Sequence, residues 1–563
     1  MLEIGLNLIL IFTLLIPFGF LIGITISRSF VYNKQIENSK KTYPEKIFEK
    51  IEGFIFRVCS INPEEEMTGR QYLGTLLLLN LIIGTIIFFI ATIQITSHCF
   101  TLQKPIDISS IFHLTCSYLT NTDQEHLNAD IDLPMITRFF IIPFLMLISS
   151  GTGISISIMF IRAITKGIIG NFYVDFIKSF IRIVFPICFL ISILFVLLGM
   201  PNTIPKLISY ETLESAKETL TIGPIAALEA IILFGQEGGS IYSSNASHPF
   251  SNPTYLTNLL QMVFMTVIPV ALIFTLGFCL NNNRQSMVLL LALFSIIIFE
   301  VVLSCMLELR GNPMHNAILG TDFPNWMGKE TRFGIITSSI YSILASNVSG
   351  ATNSALDGYH PISIGMMIFN LADQGILGGQ GLGPIYALNY FIYTVIFIGF
   401  MTGKSPEMFG RRIEKREIIL SSLILLLNPL VISILIPLAI NIQHLSFISF
   451  HDHIHYYTRI LYEFLSAASN NGSGLEGLTD NIPILNYTSG ATMLLGWFGP
   501  ITLSCGIASG LAKKKSRLKS PEIFKTDTIL FSFLYLFMTV SLTLLTYFPF
   551  IVLGPISEVL TKG

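Results

Sequence analysis

Ten apolar runs, each long enough to cross a bilayer as a helix, follow one another along the 563 residues. A helix rises about 1.5 Å per residue, so about 20 apolar residues span the ~30 Å hydrocarbon layer. The runs lie at 3–26, 72–95, 136–161, 176–199, 255–280, 286–308, 363–402, 418–442, 484–511 and 528–553. In lipid only helices and closed barrels satisfy their own backbone polar groups. The pattern therefore predicts an all-α polytopic membrane protein with ten transmembrane helices. The seventh run is too long for one span and is broken by GILGGQGLGP (375–384). The first has no basic segment before it and exceeds the length of a signal-peptide core, so it reads as a retained helix. Only 12% of residues are charged, against about 25% in soluble domains. A net charge of −2 gives no message about nucleic acid. Seven dispersed cysteines without a CxxC argue against a disulfide framework or a thiolate metal site.

Four of the connections carry a weakly apolar stretch that ends in a small polar turn: TNTD (120–123), GQEGG (235–239), SGATNS (349–354) and SNNGSG (469–474). Aligning Thr122, Gly238, Gly350 and Gly472 gives spacings of 116, 112 and 122 residues. A nearly constant spacing in four copies predicts an internal repeat. Each copy reads as helix, re-entrant half-helix, polar turn, helix, over about 72–162, 176–280, 286–402 and 418–511. Helices 3–26 and 528–553 are extra, and the whole chain is one transmembrane domain.

The distribution of basic residues orients this layout. The connections 27–71, 162–182, 281–285, 403–417 and 512–527 hold 8, 4, 1, 5 and 6 Lys and Arg, or 24 of the 33. The positive-inside rule puts these five in the cytoplasm, and both termini and all four polar turns on the outer side.

Irregular backbone at membrane depth occurs only where protein buries it or a wet cavity borders it. Four such turns entering from one side imply a ring about an axis. Rings of backbone carbonyls can replace the water shell of a bare cation. Glycine permits the positive φ angles that aim successive carbonyls inward. Gly238, Gly350 and Gly472 fit that role, with Thr122 in the first turn. One such turn alone reads as a surface loop; four at matched spacing read as a pore.

Six ordered blocks resemble the family of the potassium-translocating subunit, KdpA, of the Kdp-type bacterial potassium ATPase. They are GNFYVDFIKSFIRIVFP (170–186), SNASHPFSNPT (244–254), NWMGKETRFG (325–334), SPEMFGRRIEKRE (405–417), SAASNNGSGLEGL (466–478) and LGPISE (553–558). The resemblance implies the potassium-transporter superfamily fold, with four helix–pore-loop–helix repeats around a central pore. It implies a filter of Asn121, Thr122 and Asp123; Gln236, Glu237 and Gly238; Val348 or Ser349 with Gly350; and Asn470, Asn471 and Gly472. Gly378, Gly379, Gly381 and Gly383 match a glycine-rich break that acts in that family as a gating loop. Potassium is the implied ion, with no organic cofactor. The implied partners are a P-type ATPase subunit (KdpB-like) and KdpC-like and KdpF-like small subunits, in the bacterial inner membrane. The chain itself has no D-K-T-G motif for an aspartyl-phosphate, so it is expected to be non-catalytic.

The second turn departs from the family pattern G-T-N-G-G-G, the first lacks its Trp, the third has Val348 and Thr352 around Ser349-Gly350-Ala351, and Trp497 replaces an Arg in GWFG. Carboxylates Asp123 and Glu237 either face the ion path or turn away and hydrogen-bond behind the turns; the second disposition is expected, since a buried carboxylate needs partners. The acidic and basic residues of 45–66 read as a solvated amphipathic segment.

Two other functions compete. One is a stand-alone potassium transporter of the Trk/Ktr/HKT kind, which shares the pore but not the six blocks. The other is a membrane metalloenzyme using His451, His453 and His455 of HDHIH. Their alternate spacing puts three imidazoles on one face only in an extended strand. GFMTGKS (399–405) is one residue short of a phosphate loop and follows no strand.

Overall fold

The computed structural model describes residues 2–30, 43–96, 106–212, 214, 217–313, 323–379, 381–442, 450–478, 480–515 and 524–561. Its principal helices are α1 (Leu2–Phe30), α2 (Tyr43–Val58), α3 (Gly69–Thr96), α4 (Ile108–Leu119), α5 (Thr137–Lys166) and α6 (Phe172–Leu197). There follow α7 (Ile225–Gly235), α8 (Tyr255–Leu280), α9 (Asn283–Arg310), α10 (Gly334–Val348), α11 (Pro361–Asp373) and α12 (Leu382–Thr402). The chain continues through α13 (Lys415–Ile442), α14 (Phe450–Ser469), α15 (Pro483–Ala512) and α16 (Ile529–Leu560). Ten of these are long and apolar enough to cross a membrane. The seventh apolar run is divided into α11 and α12, with residues 374–381 between them.

Burial sorts the spans. In α8 89% of the apolar window is buried and in α5 83%, whereas in α1, α3 and α6 it is 28%. Buried α5 and α8 form the centre, and the others turn apolar surface outward, as lipid-facing helices do. Helix α1 lies along α8 through Gly19 and Gly23, where a Cβ would meet Val270 and the Ala271 carbonyl. Small residues four apart let two backbones approach closely in this way.

The described parts of the five basic connections meet at one end of the bundle. Met67 N donates to Gly170 O (2.9 Å), joining the first to the second. Arg411 donates to the carbonyls of Ile164 (3.0 Å) and Leu511 (3.0 Å), joining the second, fourth and fifth. Asn282 donates to Asp527 (3.1 Å), joining the third to the fifth. Buried ion pairs add to this end: Arg162 to Asp175 (2.6 Å) and Arg182 to Glu52 (2.5 Å). The second pair corrects one expectation. Segment 45–66 is not simply solvated, because Glu52 is the buried face of α2 against α6.

At the other end of α9, Glu308 accepts from Lys329 Nζ (3.0 Å), Asn325 Nδ2 (2.6 Å) and His360 N (2.9 Å). An antiparallel hairpin, β1 (Lys206–Glu211) with β2 (Lys217–Ile222), precedes α7 and has no counterpart in the sequence reading.

Candidate functional site

Four short helices, α4, α7, α10 and α14, each end in one of the four polar turns. Three of them end alike. Asn121, Gln236 and Asn470 take left-handed φ values of 57°, 55° and 54°. The next amide reaches back five residues: Thr122 N to Ser117 O, Glu237 N to Ile232 O and Asn471 N to Ser466 O, each 3.0 Å. This is the helix-terminating arrangement that satisfies carbonyls left over in the last turn. The following residue again has positive φ: Asp123 at 55°, Gly238 at 83° and Gly472 at 95°.

That geometry moves one alignment. Asp123, not Thr122, stands level with Gly238 and Gly472. An aspartate occupies the glycine position because its short polar side chain tolerates the left-handed region. The third turn also differs from expectation. Ser349 is extended (φ −149°, ψ 151°), and Gly350 has no positive φ. Gly350 is needed for space instead, since a Cβ there would collide with Asn471 O and Ser473 N.

The turns touch in a closed order. A Cβ on Gly238 would strike the Gly350 backbone, one on Gly350 would strike Asn471, and one on Gly472 would strike Thr122 O. A Cβ on Gly239 would strike the Asp123 carboxylate, which completes the circuit from second to third to fourth to first. Residues 121–123, 236–238, 348–350 and 470–472 therefore converge on one place, and all are buried except the half-buried Gly472.

Side chains cross between neighbouring turns. Asn121 Nδ2 donates to Gln236 O (2.7 Å), and Asn470 Nδ2 donates to Thr122 Oγ1 (3.0 Å) and Met493 O (3.0 Å). Asn471 Nδ2 donates to Ala345 O (2.9 Å) at the end of α10. Gln236 Nε2 donates to Met265 O (2.5 Å), much as Asn470 does to Met493. With every amide nitrogen so engaged, the oxygens Asn121 Oδ1, Gln236 Oε1 and Asn470 Oδ1 are buried without a hydrogen-bond partner among the described residues. A buried acceptor without a donor is costly unless something positive meets it.

Glu237 is held by one carboxylate oxygen, while its Oε2 is buried without a hydrogen-bond partner among the described residues. Its Oε1 accepts from the hydroxyls of Ser149 and Ser150 on α5. Asp123 lies against the backbone of Gly239, and both its carboxylate oxygens are buried without a hydrogen-bond partner among the described residues, so the hydrogen bonding expected of it behind the turn is not found. Ser149 and Ser150 were not among the predicted site residues, although ISSGTGISIS (148–157) puts conspicuous polarity inside an apolar run. Trp497 is buried within α15, beside Gly496, which packs on Ala468 O next to the fourth turn.

The glycine-rich break adjoins the third turn. A Cβ on Gly379 would come within 3.1 Å of Val348 O, and Gly383 N donates to Gly379 O (2.9 Å), folding the loop on itself. Gly381 has φ 87°, its carbonyl accepts from Ser157 Oγ (2.6 Å), and it packs on Gly153 of α5. A cavity between break and turns is lined by Asn347, Asn370, Gln374, Gly378's neighbour Gly379, and Asn471. Gly378 is pressed against Gln374 O.

HDHIH is helical, part of α14, and in a helix positions 451, 453 and 455 do not all fall on one face. His455 instead bridges Asp357 (2.9 Å) and Glu558 (3.0 Å). In GFMTGKS, Gly403 is a left-handed helix cap (φ 68°).

The model of the potassium-transporting ATPase A subunit family, KdpA, matches residues 9–560. The chain belongs to the KdpA family. A relative from Nostoc sp., named as the potassium-binding subunit of the potassium-transporting ATPase, is 36% identical over 99% of this chain and 98% of its own length. Relatives from Synechocystis sp. and Caldanaerobacter subterraneus with the same name are 35% and 34% identical, over 99% and 95% of this chain and 99% and 96% of theirs. The crystal structure of the potassium transporter TrkH from Vibrio parahaemolyticus shares the fold, with a TM-score of 0.53 and 13% identity over 91% of this chain and 99% of that one. Membership of KdpA rests on the sequence match, and the likeness to TrkH concerns the fold alone.

Proposed function

We propose that this KdpA-family chain binds and selects potassium outside the cell and conducts it inward, as the non-catalytic subunit of an ATP-driven importer. The observation that carries the reading is the closed circuit of four turns, with the buried amide oxygens of Asn121, Gln236 and Asn470 left without donors. Potassium sheds its water only where several oxygens at fixed distance replace it. In this reading the turns supply them from backbone and amide groups, with the unpartnered Asp123 carboxylate at the same ring. In this reading the filter comprises residues 121–123, 236–238, 348–350 and 470–472, and the break at 378–383 gates the path beyond it. The domain is built of repeats 72–162, 176–280, 286–402 and 418–511. The basic end faces the cytoplasm of a bacterial inner membrane, by the positive-inside rule, and both termini lie outside. ATP hydrolysis belongs to a KdpB-like P-type subunit, with KdpC-like and KdpF-like subunits completing the complex.

Co-expression with those partners tests the reading. The expected result is a co-purifying complex whose ATP hydrolysis rises with potassium. A chain that purifies as a dimer on a soluble nucleotide-binding ring, with no ATPase subunit attached, contradicts it.

A further inference from the structure

On the side of the first and fourth turns, three metal-ligating groups from distant parts of the chain meet. His126 Nε2, a carboxylate oxygen of Glu463 on α14 and one of Asp480 ahead of α15 lie within 4.8 Å of one another. His126 Nε2 is 2.9 Å from Glu463 Oε1. The imidazole and one carboxylate are buried, and Asp480 is half-exposed, which leaves a way in from the surface.

The surroundings fix which imidazole nitrogen is available. Asn486 Nδ2 donates to Asn481 Oδ1 (3.0 Å) and Ser109 Oγ (3.1 Å), which turns its Oδ1 toward His126 Nδ1 at 2.7 Å. Nδ1 therefore carries a hydrogen, and Nε2 holds the proton it shares with Glu463 Oε1 at 2.9 Å until a cation displaces it. A ring whose Nδ1–H is tied to a carbonyl oxygen, with Nε2 free to ligate, is the usual outer-shell support of a metal-binding histidine. Charge argues the same way. With a proton shared between His126 and Glu463, the trio still carries a net negative charge in a buried place. Exchanging that proton for a dication neutralises it, with the imidazole neutral as a ligand must be. The ring of His113 stacks on His126 at 3.6 Å, and its Nε2 is buried with no hydrogen-bond partner among the described residues. The neighbourhood is therefore short of partners before any ion is considered.

We propose that His126, Glu463 and Asp480 form a binding site for a divalent transition-metal cation, separate from the potassium path. One imidazole and two carboxylates, with a fourth position open to water, suit zinc and its neighbours rather than potassium or magnesium. The ion staples the segment after the first turn to α14 and to the segment after the fourth turn. Gln124 Nε2, which donates to Glu463 Oε1 (2.6 Å), already makes the same connection by hydrogen bond. Binding needs a modest opening between Nε2 and Oε1, because two ligands of one tetrahedral zinc stand farther apart than a hydrogen bond.

The test is zinc titration of the metal-stripped, full-length chain in its complex, by calorimetry, with X-ray absorption on the bound zinc. The expected result is one zinc per chain with one imidazole and otherwise oxygen ligands. Binding should disappear in His126→Gln and weaken at least about tenfold in Asp480→Asn. Asp480 is half-exposed, so its amide variant keeps the test valid if His126→Gln fails to fold. Zinc binding that is unchanged in Asp480→Asn, as a site on the HDHIH segment would give, overturns the proposal, and so does the absence of binding at millimolar zinc.

Discussion

The second and fourth turns share a backbone and differ in side chains. Both leave a helix through a left-handed amide residue, Gln236 or Asn470, and both place glycine two residues later. Between these stands Glu237 in one and Asn471 in the other. Asn471 donates to Ala345 O near the end of α10, knitting the fourth turn to the helix that precedes the third. Glu237 accepts from Ser149 and Ser150, anchoring the second turn back onto α5. The backbone path is thus fixed by local capping, and the middle side chain only chooses which neighbour holds it. A family-atypical carboxylate is accommodated in this way by two serine hydroxyls of α5.

The largest expected effect comes from abolishing what the two turns share. Gly238→Asp and Gly472→Asp each force a Cβ into backbone, of Gly350 and of Thr122 respectively, at a positive φ. Both should reduce selective potassium uptake to background while the protein still inserts; uptake at the parental level in either variant breaks the equivalence.

Much of this was legible in the sequence, for physical reasons. Spans announce themselves by length and hydropathy, and GILGGQGLGP broke the seventh run where α11 gives way to α12. The three glycines aligned by spacing do meet around one point, but spacing could not show that Asp123, not Thr122, takes the fourth place in a glycine's conformation. Nor could it show that Gly350 is required for room rather than φ. The β1–β2 hairpin and the pairing of His126 with Glu463, 337 residues apart, depend on contacts that no local period encodes.

The next effect should be confined to the fourth turn. Asn471→Ala removes the donor to Ala345 O and the acceptor for Ser473 Oγ (2.6 Å), and should cost about 1–3 kcal/mol, read as a lowered melting midpoint. No loss of stability would mean the side chain is not the strut described here.

The two half-helices also differ at their outer starts. Helix α14 is held by His455 between Asp357 and Glu558, and Arg459 adds a second bond to Asp357 (2.8 Å). These partners raise the His455 pKa from 6.5 to about 9, against the opposing effect of burial. The folded value lies above the unfolded one, so this stabilisation is complete below pH 6.5 and is lost as pH rises through about 9. The melting midpoint should fall over that window, and His455→Gln should flatten the fall. An equal slope in the variant would assign it to other groups.

The smallest effect is expected at Glu237 itself. Glu237→Gln keeps an acceptor for Ser149 and should leave the preference among potassium, rubidium and sodium unchanged. An altered preference would put the carboxylate on the ion path and undo the contrast with Asn471.

The most direct measurement is the location of a heavy potassium substitute. Thallium soaked into the purified complex should give density at the point enclosed by residues 122–123, 237–238, 349–350 and 471–472, displaced by excess potassium. Thallium density elsewhere in the chain, with that point empty, would contradict the account.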